Sequence, residues 1–393
     1  MSTHASVHRE VGGPILTPSY RVLLAIAALG GVMMLWRFAA GLAAVSNLND
    51  GYPWGIWIAF DVVTGTALGC GGYAVALLVY ILNKGEYHPL VRPAILTSLL
   101  GYGLAVLAVT VDLGRFWELW KVPVFFWRWS HSPQLEVALC VATYVLVLLI
   151  ELSPAFFEKW RKSPDTGLRS FAEKGLAFVK RFFVWILALG ILLPTMHQSS
   201  LGTMMLLTGP KLHPLWFTPW LPFLFLVNCV VMGYGVVVLE SHAAASAFGR
   251  HRETVMLGRL SKVAMGVALF FVAFRLADIV LRGQAAALFS WFGVAVLVEL
   301  GLLVAGALVL MSQANRRSPS QQALAALLLV VGGTVYRFNV YLVGFRPGEH
   351  WSYFPAVPEL LITFGIVALE IALYVAAVKT FPILAGEPAP ARA

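Results

Sequence analysis

Charge is scarce in this chain. Of its 393 residues only 12% are Asp, Glu, Lys or Arg, against 59% hydrophobic, and the mean hydropathy is +0.80. A water-soluble domain carries roughly twice that charged fraction, about 25%. So few charges cannot cover a solvent-facing surface, which excludes a soluble domain and a disordered chain and leaves lipid as the main solvent. Cysteine is scarce too. Cys70, Cys140 and Cys229 each sit in an apolar run, and no CxxC or CxxCH occurs. That excludes a disulfide scaffold and c-type haem attachment, and leaves no metal, zinc or iron–sulfur site of the chain's own to be expected. Packing is the expected role of the three thiols. A basic stretch leading into a short apolar run with a small-residue cleavage site is also missing from MSTHASVHREVGGPILTPSYR. No removable signal peptide is therefore expected, and the first apolar run stays in the membrane.

Long apolar runs dominate what is present. A membrane-crossing helix needs about 20 apolar residues. The candidate spans are 20–43, 54–82, 91–112, 133–152, 178–200, 215–240, 260–281, 287–311, 321–344 and 356–380. The expectation is an all-α integral membrane protein of about ten spans, with tails at 1–19 and 381–393 and a membrane domain at 20–380. The net charge of +9 then reflects topology, not nucleic-acid binding. Counted by loop parity, 19 basic residues fall on one side and 9 on the other. Basic loops stay in the cytoplasm, so both termini are expected there, in a bacterial inner membrane, with the working face outward.

The two faces differ. The basic side has short loops such as KWRKSPDTGLR and FGRHRET, while the other carries longer, Trp-, Gly- and Pro-rich segments such as DLGRFWELWKVPVFFWRWSHSP. Such loops suit partner docking, for which Trp54, Arg115, Trp117 and Trp351 are candidates.

Ionisable groups inside a bilayer are expensive, so each is a candidate for function. Asp61, Gly65 and Gly69 share one helix face, which is either a packing seam or a slot for a flat ligand. Asp112 ends the third span and either pairs with Arg115 or serves a site. Glu136 opens the fourth, where headgroups solvate it or it faces inward and carries protons. In ILLPTMHQSSLGTMM, Pro194 is expected to break the helix, exposing backbone beside His197, Gln198, Ser199 and Ser200. A quinone needs donors to its carbonyls, a flat apolar slot and a proton-exchanging group, and this run offers them. The other reading is a capped turn with His197 tied to a carboxylate. Asp61, Asp112, Glu136 and His197 are expected to converge toward the outer side. Arg275 and Asp278 have pairing distance in sequence, and Arg337 has Glu299 or an outer acid as its candidate partner. Glu151, Glu240 and Glu370 are either a proton route inward or snorkelling ends. Of nine histidines only His197 lies at depth, with His213 and His242 at span ends, so no haem is expected in this chain.

The stretches NDGYPWGIWIAFD, CGGYAVALLVY, GEYHPLVRPAILTSLLGYG, VDLGRFW, LLPTMHQSSLGTM, KLHPLW and YFPAVPELLITFG run from the second span to the tenth. Through them the sequence resembles the NrfD/polysulfide-reductase type of integral membrane subunit. Within that group it resembles the membrane subunits of hydrogenase-2-type periplasmic [NiFe] hydrogenases. The resemblance implies two four-helix bundles, spans 2–5 and 6–9, flanked by spans 1 and 10. It implies a menaquinone or ubiquinone site toward the periplasm and no haem. It also implies electrons from a ferredoxin-like subunit with four iron–sulfur clusters, fed by the small and large hydrogenase subunits. Tyr102, Glu136, His197 and Glu240 match positions that serve the quinone and its protons in that family. The position of Asp61 is often not an acid there. A secondary transporter and a purely structural anchor are the competing readings from other classes.

Overall fold

A computed structural model describes residues 8–386, so the outermost parts of the two expected tails lie outside the described residues. Ten helices are long and apolar enough to cross a membrane. They are α1 (Pro18–Ala40), α2 (Trp57–Ile81), α3 (Gly85–Asp112), α4 (Pro133–Trp160), α5 (Thr166–Leu206), α6 (Leu221–Ala247), α7 (Thr254–Leu281), α8 (Trp291–Met311), α9 (Pro319–Val343) and α10 (Val357–Thr380). Each matches one apolar run of the sequence. The only sheet among the described residues joins β1 (His8–Arg9) to β2 (Leu384–Ala385), antiparallel, tying the two chain ends together. The end of the molecule with that sheet and the short basic loops is here called the basic end, and the opposite one the aromatic end.

Helix α5 departs from its hydropathy span in two ways. It is 41 residues long, about 62 Å at 1.5 Å per residue, roughly twice the hydrocarbon thickness. Its start is set by Asp165, whose Oδ1 accepts from the backbone N–H of Gly167 (2.8 Å) and Leu168 (3.3 Å). The charged first turns then stand clear of the apolar stretch. Pro194 does not break the helix, as the sequence leads one to expect; α5 runs through it to Leu206. A proline removes one backbone bond and its ring crowds the carbonyl four residues before it, a cost that the packing of the helix must offset. That carbonyl belongs to Gly190, where α4 packs so closely that a Cβ would lie 2.5 Å from Glu151 Oε1.

The irregular backbone is in α2 and α9 instead. Trp57–Thr64 and Leu77–Ile81 are wide π-type turns in α2, separated by a turn at Gly69–Cys70, and Asn339–Val343 closes α9 in the same way. Such turns are common at functional sites because they redirect backbone carbonyls.

From α2 to α9 sequential helices pack as neighbours, α6 also lies against α2 and α9, and α10 lies against α1, α2 and α3. Helices α1 and α10 cross where Gly30 meets Gly365; a Cβ on either would stand 2.7 Å from the other's Cα. A small apolar cluster of α1, α2, α3 and α10 residues, including Trp57, Val62, Ala108 and Ile362, adjoins the main core. At the aromatic end the loops are stitched together: His213 N–H donates to Gly344 O (2.8 Å), and Tyr52 Oη donates to Phe345 O (3.0 Å).

Candidate functional site

Five helices bring polar side chains to one point in the apolar interior. Arg337 of α9 is fully buried and spends its guanidinium on four acceptors. Nε donates to Asn228 Oδ1 (2.7 Å), Nη1 to Val63 O (2.7 Å), and Nη2 to Gln198 Oε1 and Phe225 O (both 2.9 Å). The carbonyl of Val63 is available because α2 is wound as a π-turn there. Gln198 of α5 turns its amide nitrogen toward Thr66 Oγ1 (3.2 Å) and Tyr102 Oη (3.4 Å). Tyr102 of α3 stands 3.5 Å from His197 Nδ1 and 3.4 Å from Cys70 Sγ, with its ring edge-on to Tyr144. The result is a buried hydrogen-bonded chain, Arg337–Gln198–Tyr102–His197, holding one cation with no carboxylate hydrogen-bonded to it. Anionic charge appearing nearby is favoured by such a centre.

The outer acids do not all gather there. Asp61 points to α10, where Thr363 Oγ1 donates to its Oδ2 (2.8 Å). Asp112 lies within electrostatic range of Arg37 and Glu359, and its Oδ1 is buried without a hydrogen bond. Arg115 is exposed, so the basic neighbour of Asp112 is Arg37 of α1, which donates to Val111 O and Leu113 O at the end of α3. Glu359 accepts from Asn47 N–H (2.9 Å), Ala356 N–H (2.8 Å) and Tyr353 Oη (2.6 Å). Burial and that carboxylate push the Tyr353 phenol up, keeping its proton in the bond. Two polar groupings thus replace the single convergence expected: His197 with Tyr102 and Gln198, and Asp61 and Asp112 with α1 and α10. Glu136 is half-buried in the first turn of α4. Ser199 turns its hydroxyl to Thr195 O (2.9 Å) and Met196 O (2.7 Å) of its own helix. Gly65 lies at the α2–α3 contact.

Arg337 does not pair with Glu299. That acid lies 3.5 Å from Arg275 Nη2 and accepts from Asn339 (2.7 Å) and Trp216 (3.2 Å). Arg275 also faces Asp278 at 3.7 Å, but Asp278 is held more closely by Arg282 (2.9 Å) and Thr218 (2.7 Å). Toward the basic end, Glu240 accepts from Thr97 Oγ1 (2.8 Å) and Tyr374 Oη (2.7 Å). Of the docking candidates, Trp117 and Trp351 are 61% and 43% exposed and Arg115 is exposed. Trp54 is pinned by its indole N–H on Tyr341 O (3.0 Å) and by Phe345. Burial and Arg346 lower the pKa of His213, whose ring stacks on Phe292.

Sequence reasoning missed Asn228, Thr66 and Cys70 in the central chain. Nothing marks them, since each is a small polar residue in an apolar helix. Arg337 was visible as a charge in a span, but not its partners.

A family model described as polysulphide reductase, NrfD, matches residues 44–346. The chain belongs to the NrfD family. Its relatives include the probable Ni/Fe-hydrogenase 2 b-type cytochrome subunit of Escherichia coli, 36% identical over 96% of this chain and 95% of that protein. The menaquinone reductase integral membrane subunit of Nitratidesulfovibrio vulgaris is 27% identical over 91% and 89%. A selenate reductase subunit of Mesobacillus selenatarsenatis is 24% identical over 57% and 56%. This NrfD chain is thus a multi-pass membrane protein whose relatives are subunits of oxidoreductase complexes.

One of those names corrects the sequence reading. A b-type cytochrome subunit points to haem, against the expectation of none. The two buried histidines among the described residues, His197 and His242, do not form a pair of axial ligands. His197 and His242 lie about 14 Å and 32 Å from the aromatic end, counted along α5 and α6 at 1.5 Å per residue. His197 is engaged by Tyr102 and Gln198, and His242 Nε2 meets Gln322 Oε1 at 2.7 Å. These residues do not fit the group that the relative's name implies, and no step below passes through it.

Proposed function

We propose that this chain is the quinone-reactive membrane subunit of a respiratory [NiFe]-hydrogenase complex. The observation that carries the reading is the buried Arg337–Gln198–Tyr102–His197 chain, in a protein similar along nearly its whole length to a hydrogenase 2 membrane subunit. In this reading hydrogen is oxidised outside the membrane, in large and small hydrogenase subunits. Electrons pass through a ferredoxin-like subunit with four iron–sulfur clusters, docked on the aromatic end through Arg115, Trp117 and Trp351. That end faces the periplasm, and both termini are cytoplasmic.

Quinone, menaquinone or ubiquinone, takes up two electrons and two protons to become quinol. His197 offers a ring nitrogen to one carbonyl, and Gln198 helps to hold the head. Arg337 favours the negative charge that reduction brings before protonation. Gly65 keeps the α2 wall flat. Asp61 or Asp112 orients or protonates the head, and Glu136, Tyr102 and Glu240 move protons. A second donor complex of the NrfD type is the alternative, favoured by the menaquinone reductase and selenate reductase relatives.

The test is hydrogen-dependent reduction of a menaquinone analogue by membranes with and without the chain, with viologen reduction as control. Loss of quinone reduction alone is expected on deletion, and likewise in His197→Ala. Equal rates in both membranes mean that electrons leave elsewhere. A normal rate in His197→Ala removes that side chain from the mechanism.

A further inference from the structure

Glu370 has no task in the reading above, yet its carboxyl lies inside the bundle at the meeting of three helices. A Cβ on Gly101 of α3 would stand 3.5 Å from Glu370 Oε1, and 3.4 Å from both Gly65 O and Gly69 Cα of α2. Three glycines therefore let α2 and α3 approach closely, and the carboxyl of Glu370 lies at the edge of that contact. Asp61 is one turn from Gly65 on α2, held to α10 by Thr363. Asp61 and Glu370 are close enough to interact electrostatically, as are Glu370 and Glu240.

The path continues toward the basic end. Glu370 and Glu240 both line a cavity of about 340 Å³ between α3, α6 and α10, whose other walls include Leu100, Ala243 and Ile371. A second cavity of about 70 Å³ reaches from Glu240 and Tyr374 to Arg250, His251 and Glu253 in the basic-end loop. It has room for water, since a single water needs on the order of 10–15 Å³ by this measure. Burial pushes the Glu253 carboxyl up, so it exchanges protons nearer neutral pH than an exposed glutamate does. Counted along their helices, Glu240, Glu370 and Asp61 lie about 28, 20 and 6 Å from the aromatic end, an ordered descent.

We infer that these acids form a proton line from the basic-end solution, through Glu253, Glu240 and Glu370, to Asp61 in the aromatic half, with Glu370 as its central relay. The inference rests on the quinone-reducing reading. The chemistry selects protons over metal cations: the acids stand one after another, and a hard cation needs several oxygens converging on one point. No group of three His, Cys, Asp or Glu among the described residues could hold a metal ion. Each carboxyl gains a proton from the basic-end side and passes one on, returning to its starting state. Two such transfers match the two electrons taken up by one quinone. The longest step runs from Glu370 toward Asp61 and Thr363, past the close contact of Gly65, Gly69 and Gly101.

The test uses the whole complex in proteoliposomes, with hydrogen as donor, a menaquinone analogue as acceptor and a pH dye in the basic-end compartment. Glu370→Gln is expected to slow quinone reduction at least tenfold and to abolish proton uptake from that compartment, with all subunits still co-purifying. Glu370→Asp is expected to restore at least a third of the rate, with a larger slowing in D₂O than the wild type. Wild-type rate and proton uptake in Glu370→Gln overturn the line. So does a Glu370→Asp variant as slow as Glu370→Gln, since a shorter acid then relays nothing. A wild type that reduces no quinone overturns the underlying reading instead, and that control separates the two failures.

Discussion

Arg337 and Glu299 illustrate how far a residue's chemistry can be read from its own position. Both are charges in apolar helices, and the sequence marks both. Their partners are set by packing between helices far apart in the chain: Arg337 meets Asn228, Gln198 and two carbonyls, while Glu299 meets Arg275. A guanidinium offers five donors in a broad planar fork, against three on the compact head of an ammonium, so only the former reaches all four of these acceptors. Arg337→Lys is therefore expected to leave buried acceptors unpaired and to cost about 3 kcal/mol or more. The check is the thermal midpoint of the detergent-solubilised protein, and an unchanged midpoint removes Arg337 as the keystone of the site. His197 and Gln198 were legible because two adjacent polar residues interrupt an apolar run. Thr66 and Cys70 were not, because small polar residues are unremarkable in a membrane helix.

At the scale of elements, hydropathy located all ten helices but misjudged where the backbone is irregular. Proline suggested a break in α5, and the break did not occur: α5 stays helical to Leu206, packed along α4 and α6. The wide turns of α2 and α9 contain no proline to mark them, and groups within them make tertiary contacts, among them Val63 O with Arg337 and Asn339 with Ala295 O. Since α5 is continuous, Pro194→Ala is expected to change stability by no more than about 1 kcal/mol and to keep donor-to-quinone activity. Collapse of that activity in a stably assembled variant shows that the proline shapes the site after all.

For the whole molecule, the two ends differ in surface chemistry. The aromatic end offers exposed Trp117, Trp120, Trp127 and Trp129 on the α3–α4 loop, beside exposed Arg115. Large aromatics and Arg are the residues that anchor protein interfaces. Under the proposed function, Trp117→Ala combined with Arg115→Glu is expected to weaken retention of the proposed electron-donating subunit at least tenfold while the chain stays in the membrane. Co-purification from solubilised membranes measures this, and full retention moves the docking surface elsewhere.

The sequence by itself determined that the chain lives in lipid, how many helices cross it and which polar residues are too costly to be there by chance. Those conclusions rest on local quantities, namely apolar run length and the energetic cost of charge in hydrocarbon. Only the tertiary structure decided which of those residues meet. It joined His197 to Tyr102 and Arg337, and set Asp61 beside α10. It also lined up Glu240 with Glu370. Such pairings depend on helix rotation and depth, which packing between distant segments fixes and no local run of residues encodes.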